Sequence, residues 1–130
     1  MNEKKILIFE DDWSSIKGSF DLANIYAFGG NLKFHQVSKS QEIRFLNWRT
    51  QFSLVFIDIT LAKHTQMDGF NIVKKIIDSN LFELNKVVVM TGNNKVEEKF
   101  KAMQLDISQL KILYKPVAFD DLAKLLQELL

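Results

Sequence analysis

Side chains able to carry chemistry stand directly after four short apolar runs of this 130-residue chain. In chain order they are Glu10, Asp11 and Asp12, then Asp58, then Thr91, and finally Lys115. Clustered carboxylates repel one another and are costly to bury unpaired, and a divalent cation would relieve that repulsion. Oxygen ligands without histidine or cysteine suit Mg²⁺, or Mn²⁺ in its place. The residue types therefore predict a magnesium site if the fold brings these run ends together.

The same residue types suit phosphoryl transfer. Asp58 can act as a nucleophile towards a phosphoryl group and form an acyl phosphate. The charge of a phosphoryl group in transfer is spread over three oxygens. A cation held by Asp11 would neutralise one oxygen, the Lys115 ammonium a second, and the Thr91 hydroxyl would donate a hydrogen bond to a third. Gly92 would leave open space beside them.

Each of these residues also has an ordinary structural explanation. Asp12 fits a helix N-cap, Asp58 an Asx-turn, and Lys115–Pro116 a plain turn. Their ordered occurrence, each at the end of an apolar run, is what favours a functional site over a series of unrelated turns.

The apolar runs predict the strands that position this set. Four runs are short, continuous and apolar on both faces, which is typical of buried parallel strands: Lys5–Phe9, Leu54–Ile57, Val87–Met90 and Ile112–Tyr114. The segment Leu32–Val37 alternates in part and follows Gly29 and Gly30, so it predicts an edge strand.

Helical spacing of apolar residues separates the strands, and core packing explains most of these stripes. The stripes are Ile16 and Phe20 before Tyr26; Ile43 and Leu46; Phe70, Val73, Ile76 and Ile77 after Gly69; Val96, Phe100 and Met103; and Leu122, Leu125, Leu126 and Leu129. Alternating strands and helices predict an α/β fold, a doubly wound five-stranded parallel sheet with helices on both faces. Ligands of such sheets bind beyond the carboxyl ends of the strands.

Composition sets the class of protein. The chain is 47% apolar and 25% charged, which is ordinary for one globular domain, here expected over residues 1–130. The absence of cysteine excludes disulfides, thiolate zinc sites and thiol nucleophiles. A net charge of +1 gives no general attraction to nucleic acid or acidic membranes. No run has the length of a signal or membrane segment, so a cytoplasmic location is expected.

The motifs ILIFEDD, LVFIDI, MDGF, VVVMTGN and LYKPV, taken in this order, resemble the receiver domain of bacterial two-component response regulators. The resemblance covers essentially the whole chain. It implies a flavodoxin-like sheet of strand order 2-1-3-4-5 and a stand-alone receiver that is a phosphoacceptor rather than a turnover enzyme. It also implies a cis Lys115–Pro116 bond.

The resemblance assigns a role to individual positions. Asp58 matches the phosphoacceptor. The Mg²⁺ ligands would be Glu10, Asp11, Asp58 and the carbonyl of Thr60, with Asp11 a direct ligand. Thr91 matches the switch hydroxyl and Lys115 the lysine that pairs with the phosphate. Thr60 and Asn93 match positions that modulate loss of the phosphoryl group.

The chain departs from the family pattern at two positions in particular. The family often has an aromatic switch residue three positions before the lysine, where this chain has Ile112, with Tyr114 next to Lys115. The loop after the phosphoacceptor, between Ile59 and Asp68, is long and lacks the usual proline. Lys63 and His64 within it fit a tolerated insertion or a loop that covers the phosphate.

The expected partners follow from the resemblance. They are a sensor histidine kinase or histidine phosphotransfer protein, and a downstream protein target, with a homodimer left open. The output surface would be the fourth predicted helix, with Val96, Phe100 and Met103, together with the strand that contains Ile112 and the last helix. An alternative function is a phosphorylation-independent adaptor on a receiver-like scaffold. A small Mg²⁺-dependent phosphatase ranks below both because Thr60 stands where its general acid is needed, and FMN binding has little support.

Overall fold

The structure is a computed structural model that describes residues 4–38, 51–59, 68–92 and 95–130. Five strands lie in these ranges: β1 (Lys4–Phe9), β2 (Leu32–Val37), β3 (Leu54–Asp58), β4 (Val87–Thr91) and β5 (Lys111–Tyr114). Four α-helices accompany them: α1 (Trp13–Phe28), α2 (Gly69–Ser79), α3 (Val96–Ala102) and α4 (Phe119–Leu129). A 3₁₀ turn, Leu84–Lys86, precedes β4.

The strands form one parallel sheet of order β2-β1-β3-β4-β5, which confirms the predicted fold and strand order. The register aligns the strand ends. Phe9 of β1 lies opposite Ile57 of β3, and Asp58 lies opposite Met90 of β4. The next residues of each strand therefore emerge at one edge of the sheet, called here the carboxyl edge.

Apolar side chains fill two layers, one on each face of the sheet. Odd-numbered residues of β3 and β4, such as Val55 and Val89, pack with α2 and α3 around Phe70 and Phe100. Even-numbered residues of the same strands, such as Phe56, pack with α1 and α4. Because side chains alternate along a strand, a sheet covered on both faces requires continuous apolar runs.

Local signals set the ends of the helices. The Asp68 carboxylate accepts a hydrogen bond from the Asn71 amide at 2.9 Å, which caps the start of α2. Gly29 follows α1 with φ of 59°, a left-handed conformation that glycine adopts without strain. Asp12 stands at the N-cap position of α1 but makes no side-chain cap hydrogen bond, so the predicted cap is positional only.

The structure corrects several boundaries and one burial prediction. Three of the buried strands extend one residue further than predicted: β3 includes Asp58, β4 includes Thr91, and β1 begins at Lys4. The strand β5 begins at Lys111 and lies at the sheet edge, so Tyr114 is 46% exposed rather than buried. Tyr26, which follows the predicted Ile16 and Phe20 stripe, is 75% exposed. The predicted helix around Ile43 and Leu46 lies outside the described residues.

Candidate functional site

The carboxyl edge collects the buried polar side chains. Within the described ranges, the buried polar or charged residues are Glu10, Asp58 and Thr91. They stand at the ends of β1, β3 and β4. Buried polar groups are costly unless they have partners, so three of them at one edge mark a site rather than part of the core.

Three carboxylates meet at this edge. Ligand oxygens of Glu10, Asp11 and Asp58 all lie within 4.8 Å of one another. Glu10 and Asp58 are buried, whereas Asp11 is exposed and faces the solvent side of the group. We call this group the acidic cluster. It combines a partly open side with converging oxygen ligands, which is the arrangement that a hard divalent cation requires.

Lys115 brings the positive charge of the site. Its Nζ donates to Oε1 of Glu10 at 2.7 Å and lies 3.6 Å from Oδ2 of Asp58. The backbone N–H of Lys115 donates to the Thr91 carbonyl at 2.8 Å, which fixes the residue beside the end of β4. The sequence predicted an ammonium beside Asp58, and the structure places it there, with Glu10 as the nearer partner.

Burial and a second carboxylate shift the proton equilibrium of Glu10. Burial, and next the hydrogen bond with the Asp58 side chain, raise the pKa of Glu10 from 4.5 to about 7, against the opposing effect of Lys115. Burial acts to lower the pKa of Lys115, but the hydrogen bond to Glu10 and the two carboxylate charges outweigh it and raise that pKa. The lysine is therefore charged at neutral pH, while Glu10 is protonated part of the time.

Hydrogen bonds from the neighbouring strand hold Glu10 in place. The backbone N–H of Glu10 donates to the Val37 carbonyl at 3.0 Å. The side-chain amide of Gln36 donates to the Glu10 carbonyl at 2.6 Å and contacts the Ser38 hydroxyl at 2.8 Å. Sequence reasoning missed Gln36, because its alternating position on an edge strand carries no signal of a contact with the acidic residues.

Gly69 fixes the position of Asp58 by close packing. A Cβ added at Gly69 would lie 2.4 Å from the Asp58 carbonyl oxygen and 2.5 Å from the Cα of Ile59. Both distances are far shorter than any van der Waals contact, so only glycine allows α2 to start this close to the end of β3. The MDGF motif contained this signal, although sequence reasoning used Gly69 only as the start of a helix.

Thr91 ends β4 on the opposite side of Asp58 from Glu10, and it is fully buried. The following Gly92 is exposed, and a Cβ there would meet nothing within 4 Å. This agrees with the predicted open space beside Thr91. Ile112 lies opposite Val89, whereas Tyr114 lies directly opposite Thr91. The aromatic residue of β5, Tyr114, therefore stands beside Thr91, two positions after Ile112.

Two of the predicted site residues lie outside the described ranges: Thr60 and Asn93. The same is true of Lys63 and His64 within the long loop. Their predicted roles stay predictions. The cis Lys115–Pro116 bond, in contrast, is present.

The fold and the edge together define a doubly wound α/β protein with an acidic cluster and a paired lysine at the carboxyl ends of its strands. The family model for the response regulator receiver domain matches residues 6–127. The chain therefore belongs to the receiver domain family of two-component response regulators, as its motifs predicted. No curated protein matches the chain.

Solved structures agree with this fold. The chain is similar to a putative response regulator from Chloroflexus aurantiacus, with 15% identity, a TM-score of 0.72 and 98% of both chains covered. It is similar to the Vibrio cholerae chemotaxis protein CheY4, with 19% identity, a TM-score of 0.66, and 99% and 100% of the chains covered. The receiver domain of a Colwellia psychrerythraea DNA-binding response regulator gives 22% identity, a TM-score of 0.68 and 97% of both chains covered.

None of the helices that the structure describes is long and apolar enough to cross a membrane.

Proposed function

We propose that this receiver takes up a phosphoryl group on Asp58 in a Mg²⁺-dependent reaction and signals by contact with other proteins. The observation that carries the proposal is the acidic cluster with the Lys115 ammonium 3.6 Å from an oxygen of Asp58. A core or a simple turn has no need of three converging carboxylates and a lysine.

The donor set fits a magnesium ion. Carboxylate oxygens of Glu10, Asp11 and Asp58 would hold it, with Asp11 on the exposed side. Thr60 is expected to add its carbonyl. A bound ion would neutralise the cluster and one oxygen of the incoming phosphoryl group. Sulfur and imidazole ligands are absent from the cluster, which favours Mg²⁺ or Mn²⁺ over zinc.

Phosphoryl transfer needs a nucleophile held in line with the leaving group. An Oδ of Asp58 would form a bond to phosphorus while the bond from phosphorus to the donor nitrogen of a phosphohistidine breaks, and the electron pair of that bond returns to the imidazole. The product is an acyl phosphate. Lys115 would balance one of its oxygens, and the Thr91 hydroxyl would hydrogen-bond another.

The surrounding contacts keep the nucleophile in place. Gly69 holds the end of β3, and Gln36 and Val37 hold Glu10. Positioning of this kind is most of what a protein contributes to phosphoryl transfer. We infer a phosphoacceptor rather than a turnover enzyme, with a histidine kinase or phosphotransfer protein as donor, a protein target, and a cytoplasmic location.

The test is the intact mass after incubation with acetyl phosphate and Mg²⁺. We expect a labile gain of one phosphoryl group that EDTA prevents. Asp58→Asn should abolish the gain, and Asp11→Asn should reduce it strongly. The matched control is Asp12→Asn, which changes the neighbouring exposed carboxylate outside the acidic cluster and should leave the gain intact.

A negative result has a defined meaning. If the wild type gains no phosphoryl group, and neither Mg²⁺ nor beryllofluoride changes the fluorescence of Trp13, the phosphoacceptor proposal fails. The phosphorylation-independent adaptor then becomes the better account of this chain. A gain that persists in Asp58→Asn would move the acceptor to another residue.

A further inference from the structure

Helix α1 carries apolar side chains on both of its faces. Ile16, Phe20 and Ala23 are buried against the sheet. On the outer side, Leu22, Ile25 and Tyr26 are 53%, 67% and 75% exposed. Residues spaced by three and four positions share one side of a helix, so these three form a continuous surface. A surface helix normally has a polar outer face, and α1 departs from this rule.

The first residue of α4 extends this surface. The ring of Phe119 lies 6.1 Å from the ring of Tyr26, at an interplanar angle of 81°, and Phe119 is 39% exposed. We call Leu22, Ile25, Tyr26 and Phe119 the outer strip. In the part of the chain that the structure describes, the other exposed large hydrophobic residue is Tyr114, on the edge strand β5.

The size of the outer strip matches a modest interface. Its four side chains expose on the order of 500 Å², at the upper end of the largest patches on monomeric proteins. A stable, specific complex buries about 800 Å² on each partner. The outer strip and the polar residues around it would together bury an area close to the lower limit for a stable complex. This favours a reversible complex over a permanent one.

The charges of the two helices that carry the strip discriminate between partners. The charged residues of α1 and α4 are Lys17, Asp21, Asp120, Asp121, Lys124 and Glu128, so acids outnumber lysines by four to two. The whole chain has the opposite balance, with 17 basic and 16 acidic residues. Two copies joined through these helices would bring net negative charges together, whereas a partner with basic flanks would be attracted.

We propose that the outer strip docks an amphipathic helix of a partner protein, with an apolar stripe and lysine or arginine along its flanks. Leu22 is nine residues beyond Trp13, about 13 Å along the helix axis from the end that adjoins the acidic cluster. The docked helix would thus lie beside the receiver and leave the acidic cluster open. The proposal is independent of phosphorylation at Asp58.

Two synthetic peptides test this inference on the intact protein. Both have about 18 residues and the same leucine stripe, but one has lysine flanks and the other glutamate flanks. Binding is followed by amide chemical shifts of ¹⁵N-labelled protein. We expect the lysine peptide to shift amides of residues 22–26 and 119, and to bind about tenfold more tightly than the glutamate peptide. High salt should reduce that difference.

Variants assign the binding to the outer strip. Ile25→Ser and, separately, Tyr26→Ser should each weaken the lysine peptide about tenfold, and both change exposed side chains that the fold does not need. Tyr114→Ser is the matched control and should leave binding unchanged. Asp58→Asn should also bind as the wild type does, which separates this proposal from the phosphoacceptor.

Three results would overturn the proposal. The first is the absence of shifts at the strip with either peptide, and the second is equal binding of both peptides. The third is a dimer in sedimentation that Ile25→Ser abolishes, because the occupant would then be a second copy of this chain.

Discussion

The carboxyl edge of the sheet and the two apolar layers beneath it are both buried, yet they follow opposite rules. In the layers, residues such as Phe20 and Phe56 are fully buried in an apolar cluster, with ring centroids 5.2 Å apart. At the edge, Glu10 and Asp58 are equally buried but are ionisable, and burial raises the pKa of Glu10 to about 7. Burial stabilises the fold in the layers and costs free energy at the edge.

This difference shows which part of the molecule supports the other. The layers supply the stability that keeps two carboxylates out of water, in a fixed arrangement with a partly buried lysine. The carboxyl edge supplies the chemical groups: the carboxylate ligands of the acidic cluster and the proposed nucleophile Asp58. Substitutions in the layers should therefore change stability first, and substitutions at the edge should change chemistry and pH dependence first.

The largest effect is expected from truncation in the layer under α1. Phe20 packs against Trp13, Phe34 and Phe56, with ring centroids 5.2 to 5.4 Å away. Phe20→Ala should lower the free energy of unfolding by about 3–5 kcal/mol, because it removes the ring and leaves a cavity. Urea denaturation followed by tryptophan fluorescence measures this.

The control uses the same substitution on a partly exposed ring. Phe119 is 39% exposed, so Phe119→Ala should cost much less than Phe20→Ala. Below its melting temperature, the Phe20 variant should still be phosphorylated on Asp58. Equal costs for the two variants would contradict the assignment of Phe20 to the core.

The second largest effect is a pH dependence of stability, which we expect from the carboxyl edge and not from the apolar layers. Glu10 has a pKa of about 7 in the folded protein against 4.5 ordinarily, so the folded state holds more protons between these values. The contribution of Glu10 to the free energy of unfolding is then fully present below about pH 4.5 and is lost as the pH rises through 7. At about 1.4 kcal/mol per pKa unit, the loss totals about 3 kcal/mol in metal-free protein.

Glu10→Gln should remove most of this pH dependence, whereas the exposed Glu98→Gln should preserve it. Urea titrations in EDTA at pH 5.5 and pH 8 give the comparison. Mg²⁺ should stabilise the wild type more at pH 8 than at pH 5.5, because the ion competes with the proton for the carboxylates. A wild type whose metal-free stability is the same at both pH values would disprove the raised pKa of Glu10.

Most of the fold could be predicted from the sequence because the sheet is covered on both faces. A central strand such as β3 then reads as a continuous apolar run that stops where a polar residue begins. Such a run does not tell an edge strand from a central one, so the exposure of Tyr114 was not predicted. Helical spacing likewise gave Ile16 and Phe20 but did not tell that Tyr26 lies on the outer face of α1.

The sequence predicted which residues form the candidate site, but it did not predict the contacts between them. Strand-end residue types identified Glu10, Asp58 and Lys115, because parallel topology brings strand ends together. The hydrogen bond of Lys115 to Glu10 depends on side-chain conformations that no local pattern encodes. The same holds for the close approach of Gly69 to Asp58, which joins residues from two different elements.

The third effect lies where the edge and a layer meet. A Cβ at Gly69 would overlap the Asp58 carbonyl, so Gly69→Ala should cost about 1–3 kcal/mol and slow phosphorylation by moving the end of β3. Gly18→Ala is the opposite case, because a Cβ there meets nothing within 4 Å and α1 gains helix propensity. Thermal denaturation should lower the melting temperature of the first variant and raise that of the second. A neutral Gly69→Ala would mean that α2 can move away freely.

The smallest effect is expected at a surface ion pair, which can be compared with an ion pair of nearly equal length at the carboxyl edge. Lys17 and Asp21 lie 2.6 Å apart with side chains 55% and 44% exposed, whereas Lys115 and Glu10 lie 2.7 Å apart with exposures of 27% and 0%. Since the lengths agree, distance does not separate their contributions, whereas burial and the second carboxylate beside Lys115 do. A double-mutant cycle of Lys17→Ala and Asp21→Ala cancels helix propensity, and it should give about 0.3–0.5 kcal/mol in low salt and less in 1 M NaCl. A coupling above about 1 kcal/mol that salt leaves unchanged would show that exposure does not set the strength of this pair, and the contrast between surface and edge would lose its electrostatic basis.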